Sequence, residues 1–254
     1  MRILLVGDIH NKPHIFDKAF EIADRRKSDK IVFIGDYFDD WVDSAESTFD
    51  TVMALNDVMN DPRVVALIGN HELSYINGQR CSGWTAAKDM VINANLNKSK
   101  LALSYQVDNW LFSHAGLTRD WYKYANNLNI RPGKDDPVYV QHRQGQSHAD
   151  WLNELWQRYP GIYRSVGRER GGFGIGSPLW ADWEELKRNR LKGINQVVGH
   201  SPQAEITRAN IGKDYLINID VWSNDGLGGF LEWMNGKIKV LDNTGSPIVN
   251  PFRG

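Results

Sequence analysis

Two short segments decide the fold that this sequence predicts: residues 3–8 are ILLVGD, and residues 31–36 are IVFIGD. Each is an apolar run stopped by Gly-Asp, as expected for a strand that is buried on both faces. A third run, residues 64–68, ends in Gly69-Asn70. Apolar residues at helical spacing separate the three runs, over residues 15–26 and 47–59. The first third therefore predicts β-α-β-α-β with parallel strands and right-handed crossovers.

The last third of the chain predicts a different arrangement. Short strand-like segments lie at residues 196–198, 204–208, 215–219, 228–233 and 238–241. Asn235-Gly236 between the last two is a strong hairpin signal, so this part is expected to be antiparallel. Parallel units followed by antiparallel strands predict an α/β fold in which two β-sheets pack together with helices outside.

Residues 118–179 are harder to place, because they combine tryptophans, a polar stretch and the glycine-rich residues 171–176. We predict a helix over residues 149–158 and loops elsewhere in this region. A long irregular segment inside a compact domain is usually functional or mobile. We therefore predict a single domain over residues 1–254 with a cap-like insertion at about 118–179.

Composition restricts the classes of function. Thirty basic and thirty-one acidic residues give a net charge of -1, which argues against the broad basic field of non-specific nucleic-acid binders. Cys81 is the single cysteine, so no intrachain disulfide forms, as is usual in a reducing compartment. The apolar run at the N-terminus is too short for a signal peptide or a membrane span. We expect a cytoplasmic protein with no membrane partner.

Five segments place acidic, amide or imidazole groups directly after an apolar run. In open α/β sheets, ligands bind beyond the carboxyl ends of parallel strands, so these segments are expected to converge. Two divalent cations need a bridging carboxylate together with further oxygen and imidazole ligands, and such a pair can activate a water and clamp a phosphate. No segment is specific alone, but the ordered set predicts a two-metal site. The segments are Gly7-Asp8-Ile9-His10, Gly35-Asp36-Tyr37-Phe38-Asp39, Gly69-Asn70-His71-Glu72, Ser113-His114-Ala115-Gly116 and Gly199-His200-Ser201-Pro202.

This ordered set resembles the signature of the calcineurin-like metallophosphoesterase superfamily, over the chain from Asp8 to about Gly229. The pattern is most similar to that of phosphoprotein phosphatases and their bacterial and phage relatives, which are serine/threonine phosphatase-like enzymes. The resemblance implies a four-layer αββα sandwich of two mixed β-sheets flanked by helices. It also implies two divalent metal ions, with Mn²⁺ expected first and Fe or Zn²⁺ as alternatives. The implied ligands are Asp8, His10 and Asp36 for one metal and Asp36, Asn70, His114 and His200 for the other, with Asp36 bridging.

The resemblance further implies that His71 is a general acid and that Asp39 orients it. A histidine with a near-neutral pKa suits proton donation to a leaving alkoxide, and an adjacent carboxylate keeps it protonated. The nucleophile would then be a metal-bridging hydroxide, and no phosphoenzyme is expected.

The sequence departs from the family pattern at three positions. Trp41 stands where the related enzymes have a glycine. Asp40 and Asp182 stand where the related enzymes have arginines that hold the substrate phosphate. Arginine can hold two phosphate oxygens at once, and Arg170, Arg168 and Arg80 are candidate replacements, with Arg170 preferred. A solvated surface arginine is the alternative for each of them.

These features predict a phosphoesterase that hydrolyses phosphate monoesters, with phosphoprotein or nucleotide phosphates as substrates. A phosphodiesterase, a nuclease or a diadenosine polyphosphate hydrolase on the same metal centre is the alternative, and a non-catalytic binding protein ranks last. The expected partner is thus a phosphorylated nucleotide, protein or small molecule, and nucleic acid is not favoured. Trp41 and Trp180 could stack on a nucleobase, although structural packing is the favoured role for both.

Overall fold

The computed structural model describes residues 1–128, 141–209, 212–222 and 227–252. Within these residues the chain forms eleven strands and seven α-helices. The strands are β1 (Arg2–Val6), β2 (Lys30–Phe33), β3 (Val64–Leu67), β4 (Leu101–Ala102), β5 (Ser104–Val107), β6 (Trp110–Ser113), β7 (Asn195–Val198), β8 (Thr207–Ala209), β9 (Leu216–Asn218), β10 (Phe230–Met234) and β11 (Lys237–Leu241). The helices are α1 (His14–Arg26), α2 (Ala45–Val58), α3 (Asn70–Asn77), α4 (Ala86–Asn95), α5 (Arg119–Asn126), α6 (His148–Arg158) and α7 (Trp183–Asn189).

The strands form two mixed sheets. The first has the order β11-β10-β1-β2-β3-β4, and its strands β1 to β4 are parallel to one another. The second has the order β5-β6-β7-β9-β8, in which β6, β7 and β9 are parallel and the edge strands β5 and β8 are antiparallel. The predicted β-α-β-α-β unit is therefore confirmed in the first sheet.

Alternate residues of the central strands belong to different apolar clusters. In β1, Ile3 and Leu5 join the cluster between the sheets, whereas Leu4 and Val6 join the cluster under the helices. This is the period-two geometry of a strand that is covered on both faces. On the outside of the first sheet α1 contributes Phe16 to the cluster. With α7 packed on the second sheet, the layers run helices, sheet, sheet, helices, and the expected αββα sandwich is confirmed.

The expectation that the last third is antiparallel is wrong for its central strand. β7 pairs in parallel with both β6 and β9, and only β8 turns back against β9. The apolar pattern of a short strand does not encode the direction of its neighbour. The predicted hairpin at Asn235-Gly236 is confirmed: both residues have positive φ, 48° and 81°, and the hairpin β10-β11 extends the first sheet beside β1.

The middle of the chain contains more helix than the sequence predicted. The helix expected at 149–158 is α6, but α5 occupies residues that were expected to be a loop. α5 has eight residues, of which Trp121 and Ala125 are buried, and so short a pattern gives little periodic signal. The cap-like insertion at 118–179 stays a prediction, because residues 129–140 within it lie outside the described residues. No helix among the described residues is long and apolar enough to cross a bilayer.

Candidate metal centre

The carboxyl ends of five parallel strands place the predicted ligands. Asp8 follows β1, Asp36 follows β2 and Asn70 follows β3, all in the first sheet. His114 directly follows β6, and His200 lies two residues after β7, both in the second sheet. Because the two sheets pack face to face, these ends meet at one edge of the sandwich, and the six predicted metal ligands come together there.

Asp36 lies at the centre of this cluster. Its Oδ2 atom is 3.3 Å from Nε2 of His114 and 4.0 Å from Nε2 of His10. Two groups of donor atoms, each within 4.8 Å of one another, share this residue: one contains Asp8 and His10, the other His114 and His200. A carboxylate common to two donor groups is the arrangement that a two-metal site requires.

The imidazoles are oriented by backbone carbonyls. Nδ1 of His10 donates to the carbonyl oxygen of Asp39 at 2.7 Å, and Nδ1 of His114 donates to that of Ile34 at 3.0 Å. These bonds fix the tautomer, so that Nε2 of each ring carries a lone pair towards Asp36. Orienting contacts of this kind commonly accompany histidine ligands of metals.

The lone pair of His114 Nε2 faces the side-chain amide oxygen of Asn70 without a proton between them. This Nε2 atom is 2.9 Å from Oδ1 of Asn70 and 3.1 Å from Nδ1 of His200. A neutral imidazole whose Nδ1 donates elsewhere has no hydrogen to offer to an amide oxygen at that distance. Nε2 of His200 is also buried without a hydrogen-bond partner among the described residues. Asn70 and the two neutral imidazoles of His114 and His200 each offer one acceptor atom to a cation, so the residues present suit a divalent metal.

The charges in the cluster support the same fit. Burial, with the charges of Asp220 and Asp36, raises the pKa of Asp8 well above its ordinary value. Burial by itself would raise the pKa of Asp36 too, but positive charge on His114 and His71, when these rings are protonated, lowers it well below the usual range. Burial lowers the pKa of His200 well below its ordinary value, so this ring is neutral and able to act as a ligand.

Two glycines allow the carboxylates to approach the backbone. A Cβ atom on Gly69 would lie 2.1 Å from Oδ1 of Asp36, and one on Gly199 would lie 2.0 Å from Oδ1 of Asp8. Both distances are far below van der Waals contact, so a side chain at either position would displace the carboxylate. His10, Asp36, Asp39 and His200 also have φ between 44° and 67°, a left-handed conformation that side chains adopt at a cost and that concentrates at functional sites.

His71 and Asp39 lie beside the cluster as a hydrogen-bonded pair. Nδ1 of His71 donates to Oδ2 of Asp39 at 2.8 Å, and its Nε2 atom is 3.9 Å from Oδ2 of Asp36. Burial would lower the pKa of His71, but the charge of Asp36 and the bond to Asp39 raise it well above its ordinary value. His71 lines the same cavity as four of the predicted ligands, His10, Asp36, Asn70 and His200.

Of the three predicted arginines, Arg170 lines the cavity and Arg80 and Arg168 do not. Nε of Arg170 lies 2.9 Å from Oδ2 of Asp182, and its Nη2 atom donates to Ser201 Oγ at 2.6 Å. Arg80 is exposed and stacks on the ring of Trp84, with its guanidinium carbon 3.8 Å from the ring centre. Arg168 is exposed.

Lys12 is a cavity cation that the sequence analysis missed. Its Nζ atom lies 3.4 Å from Oδ2 of Asp40 and donates to the carbonyl oxygen of His10 at 3.2 Å. Asp40 and Asp182 therefore each pair with a cation from elsewhere in the chain, Asp40 with Lys12 and Asp182 with Arg170. The only hint in the sequence was the position of Lys12, two residues after the predicted ligand His10.

Two tryptophans line the cavity in different ways. Trp180 is half-buried, packs against the main apolar cluster and lies edge-on to His200, with ring centres 5.8 Å apart. Trp41 is 85% exposed, so the expectation that it packs in the interior is wrong. Trp41 also lines the cavity, so its exposed indole lies where a bound molecule would contact it.

Glu72 is a further residue that the sequence analysis left without a role. Its carboxylate accepts from the backbone N–H groups of Asp36, Tyr37 and Gly69, each at 2.8 Å. Burial and the charge of Asp36 raise the pKa of Glu72 to about 7. Glu72 thus ties together the loops that follow β2 and β3.

Comparison with known proteins agrees with this geometry. A family model described as calcineurin-like phosphoesterase matches residues 1–204. Among solved structures, a mutant of a cold-active protein tyrosine phosphatase superposes with a TM-score of 0.62 at 14% identity, over 97% of this chain and 79% of that chain. The cold-active protein-tyrosine phosphatase of a psychrophilic Shewanella species gives 0.56 at 15% identity, over 97% and 79%. At such low sequence identities, the superpositions show a shared fold. A comparison with curated protein sequences found no match to the chain. Because the family model covers most of its length, the chain belongs to the calcineurin-like phosphoesterase family.

Proposed function

We propose that this chain is a dinuclear metal-dependent phosphoesterase that hydrolyses phosphate monoesters. The observation that carries the proposal is the position of Asp36, whose carboxylate belongs to both donor groups of the cluster. The phosphoesterase family supports the reaction class. The single, partly buried Cys81 also fits a reducing compartment, so we propose the cytoplasm as its location.

Six residues would hold the two cations. Asp8, His10 and Asp36 would bind one, and Asp36, Asn70, His114 and His200 the other. The mixed oxygen and imidazole donors suit Mn²⁺ first, with Fe or Zn²⁺ as alternatives. When bound, such a pair supplies an activated water and neutralises charge on the phosphate.

His71 would donate a proton to the leaving oxygen of the substrate. Its Nε2 atom faces the cavity, while its Nδ1–H is held by Asp39. A general acid contributes about 10²–10⁴-fold to the rate, and more for a poor leaving group, because a basic alkoxide needs the proton most. Tyr75 and Lys88 hold the other carboxylate oxygen of Asp39, so the pair is well ordered.

Lys12 and Arg170 would hold the non-bridging oxygens of the phosphate. Nζ of Lys12 has three hydrogens, and two are directed at Asp40 and the carbonyl of His10. Nε of Arg170 faces Asp182, and its Nη2 atom donates to Ser201 Oγ and to the carbonyl oxygen of His200, which leaves Nη1 without a hydrogen bond to the described residues. Each cation therefore retains donors for a substrate.

A phosphodiesterase is the second candidate, and the two ion pairs favour it. Asp40 and Asp182 cancel the charges of Lys12 and Arg170, so the cavity rim attracts a second negative charge on the phosphate weakly. A phosphodiester carries one negative charge, and a monoester carries two near neutral pH. The exposed indole of Trp41 would suit a nucleotide in either case.

The test compares para-nitrophenyl phosphate with bis-para-nitrophenyl phosphate, using protein loaded with Mn²⁺. We expect monoester turnover that His71→Ala lowers, with a loss of ~10²–10⁴-fold on phenyl phosphate and a smaller loss on the nitrophenyl ester. His14→Ala, at an exposed histidine, serves as the matched control. Cleavage of the diester alone would replace the monoester proposal with the second candidate. Protein that binds Mn²⁺ and cleaves neither ester would overturn both.

A further inference from the structure

Lys88 is an almost fully buried lysine close to the His71–Asp39 pair. It lies in the first turn of α4 and is 2% exposed. Its Nζ atom donates to Oδ1 of Asp39 at 2.6 Å and to both carboxylate oxygens of Asp43 at 3.0 Å. Lysines are almost never fully buried without partners. The two carboxylates explain how the charged group can be buried, but they do not give its function.

The carboxylate of Asp39 is divided between two sets of partners. Oδ2 accepts from Nδ1 of His71, and Oδ1 accepts from the hydroxyl of Tyr75 at 2.5 Å and from Lys88. A carboxylate rotates readily about its Cβ–Cγ bond unless both oxygens are held. The contacts from α3 and α4 therefore fix which oxygen faces the imidazole.

We propose that Lys88 is a positioning residue, which holds Asp39 in the orientation that directs the Nε2 atom of His71 into the cavity. This inference rests on the proposed role of His71 as proton donor. Among the described residues, the ammonium group of Lys88 hydrogen-bonds to Asp39 and Asp43 and to no predicted metal ligand, and Lys88 does not line the cavity. It acts through Asp39, as an outer partner acts on a histidine ligand in metal sites.

Asp43 connects Lys88 to the loop after β2. Besides binding Lys88, its Oδ2 atom accepts from the backbone N–H of Asp40 at 3.1 Å. Burial would lower the pKa of Lys88, but the hydrogen bonds to Asp39 and Asp43 raise it, so the amine stays charged. One ammonium group thus anchors residues 39–43 to α4.

A purely structural ion pair would give a different result from a positioning residue. Loss of stability alone would lower turnover equally for all substrates. Loss of orientation at His71 would lower turnover mainly when the leaving group needs a proton. The ratio of turnover on para-nitrophenyl phosphate to turnover on phenyl phosphate separates the two.

The matched control is Arg26, which binds the buried Glu232 through Nε at 2.5 Å and Nη2 at 2.8 Å. We expect Lys88→Met to lower kcat on phenyl phosphate by ~10–100-fold, the scale for an outer partner, with a much smaller loss on the nitrophenyl ester. Lys88→Arg should recover part of the loss. Arg26→Met should lower the Tm without changing the ratio of the two rates.

A second measurement does not depend on turnover. The Nδ1 proton of His71, hydrogen-bonded to a buried carboxylate, should give a downfield proton NMR signal that is absent in His71→Ala. We expect Lys88→Met to shift or broaden this signal and Arg26→Met to leave it unchanged. Should Lys88→Met fail to fold, Lys88→Gln takes its place in both measurements.

The inference is overturned if the lysine variant keeps the signal and lowers both rates equally. A double variant tests the same inference independently. In an Asp39→Asn background, Lys88→Met should not change the ratio of turnover on the two monoesters further, because Lys88 acts through Asp39. If the wild-type protein cleaves neither ester, the proposed function fails, and the NMR comparison still decides the position of Lys88.

Discussion

Nε of Arg170 lies 2.9 Å from Oδ2 of Asp182, and this contact places an acid against the cation that is best placed to hold a phosphate. Asp182 also caps α7, because its Oδ1 atom accepts from the backbone N–H of Glu184. The substitution Asp182→Asn would keep the cap, since asparagine is as good an N-cap residue as aspartate. The charge of Arg170 can therefore be released without loss of the helix.

We expect Asp182→Asn to lower the KM for a phosphate monoester roughly 3-fold, the scale of a partly exposed ion pair. The KM for a diester should change less, because it carries one charge fewer. Steady-state kinetics on both nitrophenyl esters measure this, with Asp150→Asn, an exposed residue in the first turn of α6, as control. An equal change for both substrates would contradict the proposed role of Arg170.

Asp36→Asn should remove metal from both positions. The amide keeps the volume of the side chain but loses its charge and one of its two oxygen donors. We expect affinity for Mn²⁺ to fall at least ~10-fold at each position, as measured by calorimetry and by elemental analysis. Asp17→Asn, at an exposed position of α1, is the control. Retention of two tightly bound metals would show that Asp36 is not shared.

Gly69→Ala should damage the centre although it adds one methyl group. The new Cβ atom would lie 2.1 Å from Oδ1 of Asp36, so the carboxylate must move. Overpacking of this kind costs about 1–3 kcal/mol, and we expect weaker metal binding and a lower Tm together. Gly161→Ala, where nothing lies within 4 Å of the added atom, should change neither.

Trp41→Ala should change substrate binding but not stability, because the indole is 85% exposed. Stacking on a base contributes about 1–3 kcal/mol, so the KM for a nucleotide monoester should rise ~10-fold. The KM for glycerol phosphate, which has no planar group, should stay constant. The neighbouring Val42→Ala, at a residue that is 91% exposed, controls for the loop. Equal effects on both substrates would exclude stacking by Trp41.

His148 should make the protein sensitive to acid. Burial, together with the neighbouring His142, lowers the pKa of His148 to about 4, against 6.5 for the free residue. The folded-state pKa is lower than the unfolded-state pKa, so the unfolded state binds the proton first as the pH falls. This contribution to the free energy of unfolding is therefore fully present above pH 6.5 and is lost as the pH falls from 6.5 through about 4. With partial exposure discounted, we expect a loss of up to ~2 kcal/mol in the free energy of unfolding.

Urea denaturation at several pH values between 7 and 4 measures this loss. His148→Gln should flatten the dependence, since the new side chain does not titrate. His14→Gln, at an exposed histidine, should leave the slope as it is. An unchanged slope in the His148 variant would assign the acid sensitivity to other groups.

The sequence was enough to predict the strand ends but not the contacts between distant loops. The positions of Asp8 and Asp36 were predictable because an apolar run followed by Gly-Asp marks the end of a buried strand. Lys88 was not, because nothing in a lysine near the start of a helix shows that tertiary packing will bury it against Asp39. The pairing of Arg170 with Asp182 likewise depends on how a loop lies against α7.

The direction of the strands next to β7 could not be predicted from the sequence, for a related reason. β7 is a four-residue segment, and its side chains are buried whichever way its neighbours run. Its parallel pairing with β6 follows from a connection that runs through α5, α6 and α7, and its parallel pairing with β9 from a connection that runs through β8. Of these elements, α5 gave no clear periodic signal. The exposure of Trp41 also depends on the path of its loop, which composition does not encode.

The predicted ligands are divided between the two sheets: Asp8, His10, Asp36 and Asn70 belong to the first, and His114 and His200 to the second. Cations bound between them would cross-link the two sheets, in a chain whose single cysteine allows no intrachain disulfide. Separating the sheets would require the metals to leave first. Resistance to unfolding should therefore follow the free metal concentration, rising as RT ln(1 + [L]/Kd) for each site. For this chain, metal supply would set its lifetime as a folded molecule as well as its catalysis.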